Sequence, residues 1–273
     1  MPAMDKENAV SPTPTFTIVS YGGGTNSAAM LVGLFERGER PDAIVFCDTG
    51  SEKPNTYAHI LEVSEWCEKV GFPTIQTIRG SQPRQIEDGS LERECLRLGA
   101  LPSKAMGFGA CSQKWKVDPF QKWVKAQAFA KKPTRLVGFD ADEPQRMERA
   151  QGYEDKLCER RYPLIEWDWG RDECVAAIAR AGLSQPGKSA CFFCPSSKKH
   201  EILTLRDEYP ELLARALEIE RRALAGEGQA PAFRGKGLGR HFAWADVVKL
   251  ADAQLCMFSD AGVPEMDCGC YDG

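Results

Sequence analysis

A chain of 273 residues is long enough to bury a sizeable hydrophobic core. Its formal net charge of -4 argues against generic wrapping of nucleic acid. No run approaches the roughly 18 to 20 apolar residues that span a bilayer, and the N-terminus lacks the apolar centre of a signal peptide. We therefore expect a cytoplasmic protein with no membrane partner. In that compartment the eleven cysteines point to metal-binding, reactive or buried thiols rather than to disulfides.

Strand-like and helical patterns alternate in the first part of the chain. Residues 1–14 carry three prolines and are expected to form a disordered leader. Residues 80–110 are rich in charges and glycines, which is typical of an insertion or a lid. The elements predicted before that segment are strands at 16–19, 42–47 and 74–78 and helices at 28–35 and 55–70.

The alternation continues beyond the insertion and then gives way to helices. The later predictions are strands at 134–138 and 162–165 and helices at 114–129, 172–181, 196–206, 210–224 and 244–255. Such alternation with short connections predicts an α/β fold, a doubly wound, Rossmann-like parallel sheet, over residues 15–182. Residues 183–273 are predicted to form a helical, Cys-rich C-terminal extension.

A glycine-rich turn joins the first predicted strand to the first helix. Consecutive glycines let backbone N–H groups approach an anion, and a helix N-terminus adds partial positive charge. This favours binding of a nucleotide phosphate. The candidate residues are Ser20, Tyr21, Gly22, Gly23, Gly24, Thr25, Asn26 and Ser27.

Three more motifs follow the turn in chain order. They are Asp48-Thr49-Gly50-Ser51-Glu52, a cysteine before a Lys-x-x-Pro-like segment at 111–119, and a Gly-x-x-x-x-Glu-x-x-Arg loop at 138–146. Together with the glycine turn they resemble the phosphoadenosine phosphosulfate (PAPS) reductase branch of the adenine nucleotide alpha hydrolase superfamily, also called PP-loop ATP pyrophosphatases. The same motifs are similar to those of DNA-phosphorothioation sulfurtransferases.

The resemblance implies an adenine nucleotide, ATP or PAPS/adenylylsulfate, as the cofactor or substrate. It implies phosphate contacts from Gly22, Gly23 and Ser27. The other nucleotide-site residues that it implies are Asp48, Thr49, Gly50, Glu52, Gly138 and Glu143. Asp48 and Glu52 are also candidates for holding Mg²⁺, although carboxylates in such loops often only cap the backbone.

One position of the turn departs from the family pattern. Most relatives that cleave ATP carry Asp where this chain has Asn26. An amide offers neutral hydrogen bonds and no charge for a cation. Asn26 therefore weighs against assuming that ATP is cleaved.

Cys191 and Cys194 have a chelating spacing, since a two-residue gap lets both sulfurs face one metal. By resemblance to iron-sulfur adenylylsulfate reductases, Cys111 joins them in holding a [4Fe-4S] cluster. Cys270 or Cys268 is the candidate fourth ligand. Structural zinc on Cys191, Cys194 and two other thiols is the alternative.

The C-terminal segment suggests a second, catalytic role for its cysteines. PAPS reductases end in a Glu-Cys-Gly segment whose thiolate attacks a sulfonate, and Asp267-Cys268-Gly269 is similar. This makes Cys268 the candidate nucleophile. Lys114 and Arg146, inside the matched motifs, are candidates for clamping phosphate or sulfate oxygens.

The sequence is compatible with three functions. The favoured one is sulfur transfer or reduction through a nucleotide-linked intermediate, with a sulfur- or electron-donor protein as partner. The second is ATP-dependent adenylation of a nucleic acid or small molecule. The third is a nucleotide-binding module without catalysis. Nothing in the sequence fixes the oligomeric state.

Overall fold

The computed structural model describes residues 15–80, 89–107, 109–151 and 155–259. These residues form two compact units that are interleaved along the chain. The first unit holds the described residues of 1–47, 54–78 and 120–189, and the second those of 48–53, 79–119 and 190–273. The contiguous division at 182/183 remains a prediction. No helix in the described ranges is long and apolar enough to cross a bilayer.

The secondary structure is mostly helical outside one sheet. A 3-10 turn at Ser103–Met106 and a π-helical turn at Gln113–Val117 interrupt the regular helices. The helices are α1 Thr25–Glu36, α2 Pro54–Lys69, α3 Leu91–Leu98, α4 Ala110–Ser112, α5 Asp118–Ala126, α6 Pro144–Gln151, α7 Pro163–Glu166, α8 Arg171–Arg180, α9 Lys199–Glu208, α10 Pro210–Ala225 and α11 Trp244–Ser259.

The first unit is built on a five-stranded, all-parallel sheet in the order β3-β2-β1-β4-β5. Val19 in the central strand is in register with Ile44 on one side and Leu136 on the other. The predicted α/β fold with a parallel sheet is confirmed. The strands are β1 Thr17–Tyr21, β2 Ala43–Cys47, β3 Ile75–Ile78, β4 Thr134–Val137 and β5 Glu159–Arg161.

Helices cover both faces of this sheet. Successive residues of a strand point to opposite faces. Val19 accordingly packs in a buried cluster with Leu31 of α1 and Ile178 of α8. The adjacent Ile18 belongs to a different buried cluster, which contains Phe120 of α5. The sheet is therefore doubly wound, as predicted.

The order of the strands reverses beside β1. The chain runs from β1 outward through β2 to β3, then returns to the other side of β1 to form β4. In open α/β sheets ligands bind at the carboxyl ends of the strands, at such a switch point. Here it lies between β1 and β4.

The predicted strand at 162–165 is wrong. Residues Glu159–Arg161 form the edge strand β5, and Pro163–Glu166 form the short helix α7 with Pro163 in its first turn. The fixed φ of proline suits the first turn of a helix, where its missing N–H costs nothing. The charged residues of β5 fit an edge strand, because charges there discourage pairing with other chains.

The second unit packs its helices around a separate apolar cluster that includes Trp115, Phe193 and Trp244. Glu220 of α10 lies in this interior and is 2% exposed. Its Oε2 accepts hydrogen bonds from the N–H groups of Leu238 (2.6 Å) and Trp244 (2.9 Å). Its Oε1 accepts one from Ala245 (3.0 Å). One carboxylate thus ties α10 to the start of α11 and the preceding loop.

Replacing Glu220 with Gln should lower the free energy of unfolding by about 3 kcal/mol, because an amide NH₂ would face backbone donors that now share a charged acceptor. Urea unfolding measures this loss. Glu218→Gln on the same helix is the matched control, since Glu218 forms its ion pair with the exposed Arg221. Equal urea midpoints for the two variants would contradict the role given to Glu220.

Candidate functional site

The glycine turn lies at the switch point of the sheet. It begins where β1 ends at Tyr21, and Gly24 is the N-cap of α1. Gly24 has no side chain to cap the helix, and the first turn of α1 contains no acidic residue. The N-terminal N–H groups and the positive end of the helix dipole therefore suit an anion.

Gly23 has a φ of +75°, which L side chains rarely adopt. A Cβ at this position would lie 3.2 Å from Cγ2 of Thr56 and 3.4 Å from Oγ of Ser189. The hydroxyl of Ser189 donates a hydrogen bond to the carbonyl of Gly22. Ser189 is thus a neighbour of the turn that the sequence did not reveal, since no local pattern links residues so far apart in the chain.

The other polar residues of the turn are held within the first unit. Oγ of Ser27 donates to the carbonyl of Gly24 at 3.0 Å. Oγ of Ser20 accepts from Nη2 of Arg135 at 2.9 Å. Tyr21 is 3% exposed and its ring belongs to the core, so only its backbone suits a ligand. Thr25 is also buried.

Asn26 contacts a carboxylate that follows β4. Its Nδ2 donates to Oδ2 of Asp140 at 2.9 Å, and its Oδ1 accepts from Nη1 of Arg171 at 3.4 Å. Asp140 is 4% exposed, and its Oδ1 has no hydrogen-bond partner among the described residues. Burial raises the pKa of Asp140, and the hydrogen bond from Asn26 partly opposes this shift.

The predicted loop at 138–146 therefore reaches the start of α1. A Cβ on Gly138 would lie 3.1 Å from the carbonyl oxygen of Asn26 and 3.2 Å from the N of Ser27. Glu143 is half-buried, and its N–H donates to the carbonyl of Asp140 at 3.2 Å. The side chain of Arg146 lies outside the described residues, so its predicted role stays a prediction.

The Asp-Thr-Gly motif belongs to the second unit. Oδ1 of Asp48 accepts from the N–H of Gly50 at 2.7 Å, and Oδ2 accepts from Nε of Arg79 at 2.7 Å. Gly50 has a φ of +67°, and a Cβ there would lie 2.8 Å from Cβ of Ser90. The nucleotide roles of Asp48, Thr49, Gly50 and Glu52 stay predictions.

Thr49 and Glu52 meet the Cys-x-x-Cys segment. Glu52 forms an antiparallel bridge with Cys191 and accepts from Nζ of Lys116 at 3.1 Å. Oγ1 of Thr49 is 3.2 Å from Sγ of Cys191. The N–H of Cys194 donates to the carbonyl of Cys191 at 3.0 Å, which closes a tight turn.

The surroundings of Cys191 favour its protonated form. Burial raises its pKa to about 12, and the charge of Glu52 adds to this shift. Lys116 and the hydrogen bond from Thr49 oppose it without cancelling it. Cys191 is therefore a thiol at neutral pH unless a further positive charge joins it.

Cys111 lies in the same unit, and its N–H donates to Oγ of Ser103 at 2.7 Å. The charges of Cys191 and Cys111 both contribute to raising the pKa of Cys95, after burial and Glu94, so these thiols are electrostatic neighbours. No three His, Cys, Asp or Glu side chains in the described ranges are grouped as metal ligands. Cys268 and Cys270 lie outside those ranges, so their roles stay predictions.

Lys114 is engaged by a carboxylate within its own unit. Its Nζ forms an ion pair with Glu94. The same ammonium lies 5.9 Å from the centre of the Trp115 ring. Its predicted role in clamping oxyanions is not tested by these contacts.

Comparison with known proteins places the chain in no family. No family model matches it. An uncharacterized nin region protein, ORF290, of Escherichia phage lambda is 27% identical over 150 residues, so the match spans about half of each protein. The solved structure of the U34-tRNA thiolase NcsA from Methanococcus maripaludis, with its [4Fe-4S] cluster, aligns at 16% identity with a TM-score of 0.44. That alignment covers 74% of this chain and 70% of the thiolase.

Replacing Asn26 with Asp should destabilise the protein at pH 7 by about 2 kcal/mol, because two carboxylates would then share the buried contact with Asp140. The loss should shrink as the pH falls, because the repulsion raises the pKa of the pair in the folded state and protonation removes it. Urea unfolding at several pH values measures both effects.

The exchanged variant Asn26→Asp/Asp140→Asn is the control, since it restores one amide and one carboxylate with their positions reversed. It should recover most of the stability lost in the single variant. A single variant as stable as the parent at pH 7 would contradict the described contact.

Proposed function

We propose that this chain is an adenine-nucleotide-binding enzyme of the PAPS reductase family that carries out sulfur transfer or reduction. The observation that carries the proposal is the glycine turn, which joins β1 to an N-terminus of α1 without a capping side chain, at the switch point of a parallel sheet. This geometry suits phosphate, because backbone N–H donors and the helix dipole act together there.

The adenine and sulfur parts of the proposal rest on the motif resemblance. Four motifs occur in the family's order between residues 16 and 146. In the proposed reaction the thiolate of Cys268 attacks the sulfonate sulfur of the bound nucleotide, an S–S bond forms, the S–O bond to the nucleotide phosphate breaks, and the adenosine phosphate leaves. Two electrons from a donor protein would then cleave the S–S bond and release sulfite. Basic side chains such as Lys114 and Arg146 would neutralise the charge on the oxyanions. A separate protein would supply sulfur or electrons, and the reaction would take place in the cytoplasm.

ATP-dependent adenylation is the second candidate, and Asp140 favours it. Asn26 cannot supply the negative charge that a cation bound with ATP would need. Asp140 supplies a buried carboxylate 2.9 Å from that amide. The acidic group missing from the turn is therefore present beside it, and pyrophosphate release from ATP distinguishes the two reactions.

Replacing Gly23 with Ala should weaken ATP or PAPS binding by roughly tenfold or more, because a shifted turn loses backbone hydrogen bonds to phosphate. The variant should also lose about 1–2 kcal/mol of stability from the positive φ. Gly38→Ala is the matched control, since Gly38 has a φ of +69° and a Cβ there meets nothing within 4 Å.

Gly38→Ala should show the stability loss without the binding loss in isothermal titration calorimetry. Equal nucleotide affinities for the two variants would contradict the proposal that the glycine turn binds the nucleotide phosphate. Tight nucleotide binding without turnover of ATP or PAPS would favour a non-catalytic module.

We further propose that Cys111, Cys191, Cys194 and Cys270 ligate a metal, with [4Fe-4S] as the expected group and zinc as the alternative. Cysteine thiolates are common ligands both of [4Fe-4S] clusters and of structural zinc ions. No three of the described thiols lie together as metal ligands, so the described cysteines do not complete a metal site by themselves. When bound, a cluster would supply a site for a sulfur atom or an electron.

Anaerobically purified protein should be brown and contain iron and sulfide, and Cys191→Ser should lose most of both. Cys174→Ser in the core of the first unit is the control, because burial raises the pKa of Cys174 to about 12 and keeps that thiol inert. Colourless protein with bound zinc would contradict the cluster. Full metal content in Cys191→Ser would contradict the ligand assignment.

A further inference from the structure

Residues 183–189 follow α8 and reach the glycine turn within the first unit, and we call them the strap. At the start of the strap, Leu183 packs in the buried cluster of the sheet. At its end, Oγ of Ser189 donates a hydrogen bond to the carbonyl oxygen of Gly22. The strap contains none of the residues that the sequence predicts for the nucleotide site.

Contacts with α2 hold the strap in place. Ser184 donates its N–H to Oε1 of Glu62 at 2.7 Å and its hydroxyl to Oε2 of the same carboxylate. Gly187 lies so close to α2 that a Cβ there would be 2.7 Å from Nδ2 of Asn55. The packing of the strap therefore sets the position of Ser189 independently of any ligand.

The hydrogen bond from Ser189 fixes the orientation of the peptide group between Gly22 and Gly23. This peptide bond is trans, so its C=O and its N–H point in opposite directions within one plane. Because the carbonyl of Gly22 points to the strap, the N–H of Gly23 points away from it. Glycines restrict the backbone least, so without this bond the peptide group could rotate to other orientations.

The N–H groups of Gly23 and Gly24 donate no hydrogen bond to any residue that the structure describes. Backbone N–H groups in folded proteins are nearly always paired, so these donors suit an acceptor from a ligand. An N–H attracts a phosphate because it carries the positive end of the peptide dipole, whereas a carbonyl oxygen repels it. A reversed Gly22–Gly23 peptide would turn a carbonyl oxygen towards the anion in place of a donor.

We propose that Ser189 is a positioning residue of the nucleotide site, which holds the Gly22–Gly23 peptide with its N–H towards the bound phosphate. The proposal rests on the proposed function, since it concerns the phosphate of that same site. Ser189 acts through the backbone of the turn and contacts neither the base nor the sulfonate. Its contribution is therefore the same for ATP and for PAPS.

Isothermal titration calorimetry of the full chain with ATP and with PAPS tests the proposal. Ser189→Ala should bind both nucleotides roughly tenfold more weakly, because the peptide is no longer held in the orientation that the phosphate needs. Ser189→Thr keeps the hydroxyl and should retain most of the affinity. Ser184→Ala is the matched control, since it removes another hydroxyl of the strap while the N–H of Ser184 still bonds Glu62, and it should bind like the parent.

Hydrogen exchange of the Gly23 amide gives a readout that a general loss of stability would not reproduce. At saturating nucleotide, exchange of this amide proton should slow in the parent, because the N–H then donates to phosphate. The protection should be weaker in Ser189→Ala and unchanged in Ser184→Ala. Equal protection of Gly23 in Ser189→Ala and the parent would contradict the positioning role.

The same titrations separate this proposal from the proposed function. Nucleotide binding that Gly23→Ala weakens and Ser189→Ala leaves intact would overturn the role of Ser189 and still support a phosphate site at the turn. An equal loss of affinity in Ser184→Ala and Ser189→Ala would also overturn that role, because it would reflect the strap as a whole. A parent protein that binds neither ATP nor PAPS would overturn both proposals.

Discussion

The first unit depends on the close approach between the end of β4 and the first turn of α1. Gly138 permits it, because a Cβ there would lie 3.1 Å from the carbonyl oxygen of Asn26. Parallel pairing of β4 with β1 brings the two segments to the same edge of the sheet. A Cβ at 138 would force the backbone of Asn26 to shift, and this backbone belongs to the N-terminus of α1, which suits an anion.

That approach also decides how charge is distributed around the turn. Asp140 follows Gly138 by two residues and becomes buried against Asn26. A buried carboxylate is costly unless it is paired or hydrogen-bonded. An amide at position 26 donates to it, whereas a carboxylate there would repel it. Asn26, which departs from the motif that the turn resembles, is thus the residue that stabilises the buried carboxylate of Asp140.

The elements recovered from sequence are those whose signals are local. The strands at β1, β2, β3 and β4 and the glycine turn are marked by apolar runs and turn residues within a few positions. The sequence does not reveal the edge strand β5, because Glu-Arg-Arg lacks an apolar run, and the predicted strand at 162–165 is wrong because Pro163 begins a helix.

The contacts that sequence could not reveal join distant parts of the chain. Asn26 meets Asp140, Ser189 meets Gly22, and Thr49 meets Cys191. None of these pairs shares a helix or a hairpin, so no periodicity encodes it. The motif order predicts which residues matter for chemistry, but the partners that set their charge and orientation come from packing.

The surroundings of Cys191 in the second unit favour one chemical role for this thiol over another. A thiol with a pKa near 12 is a poor nucleophile at neutral pH, because the thiolate is the reacting form. The ammonium of Lys116, whose charge lowers the pKa of Cys191, is already paired with Glu52. Cys191 can become a thiolate only by gaining another positive charge, and a bound metal ion supplies that charge directly. Its environment therefore suits a metal ligand better than a nucleophile.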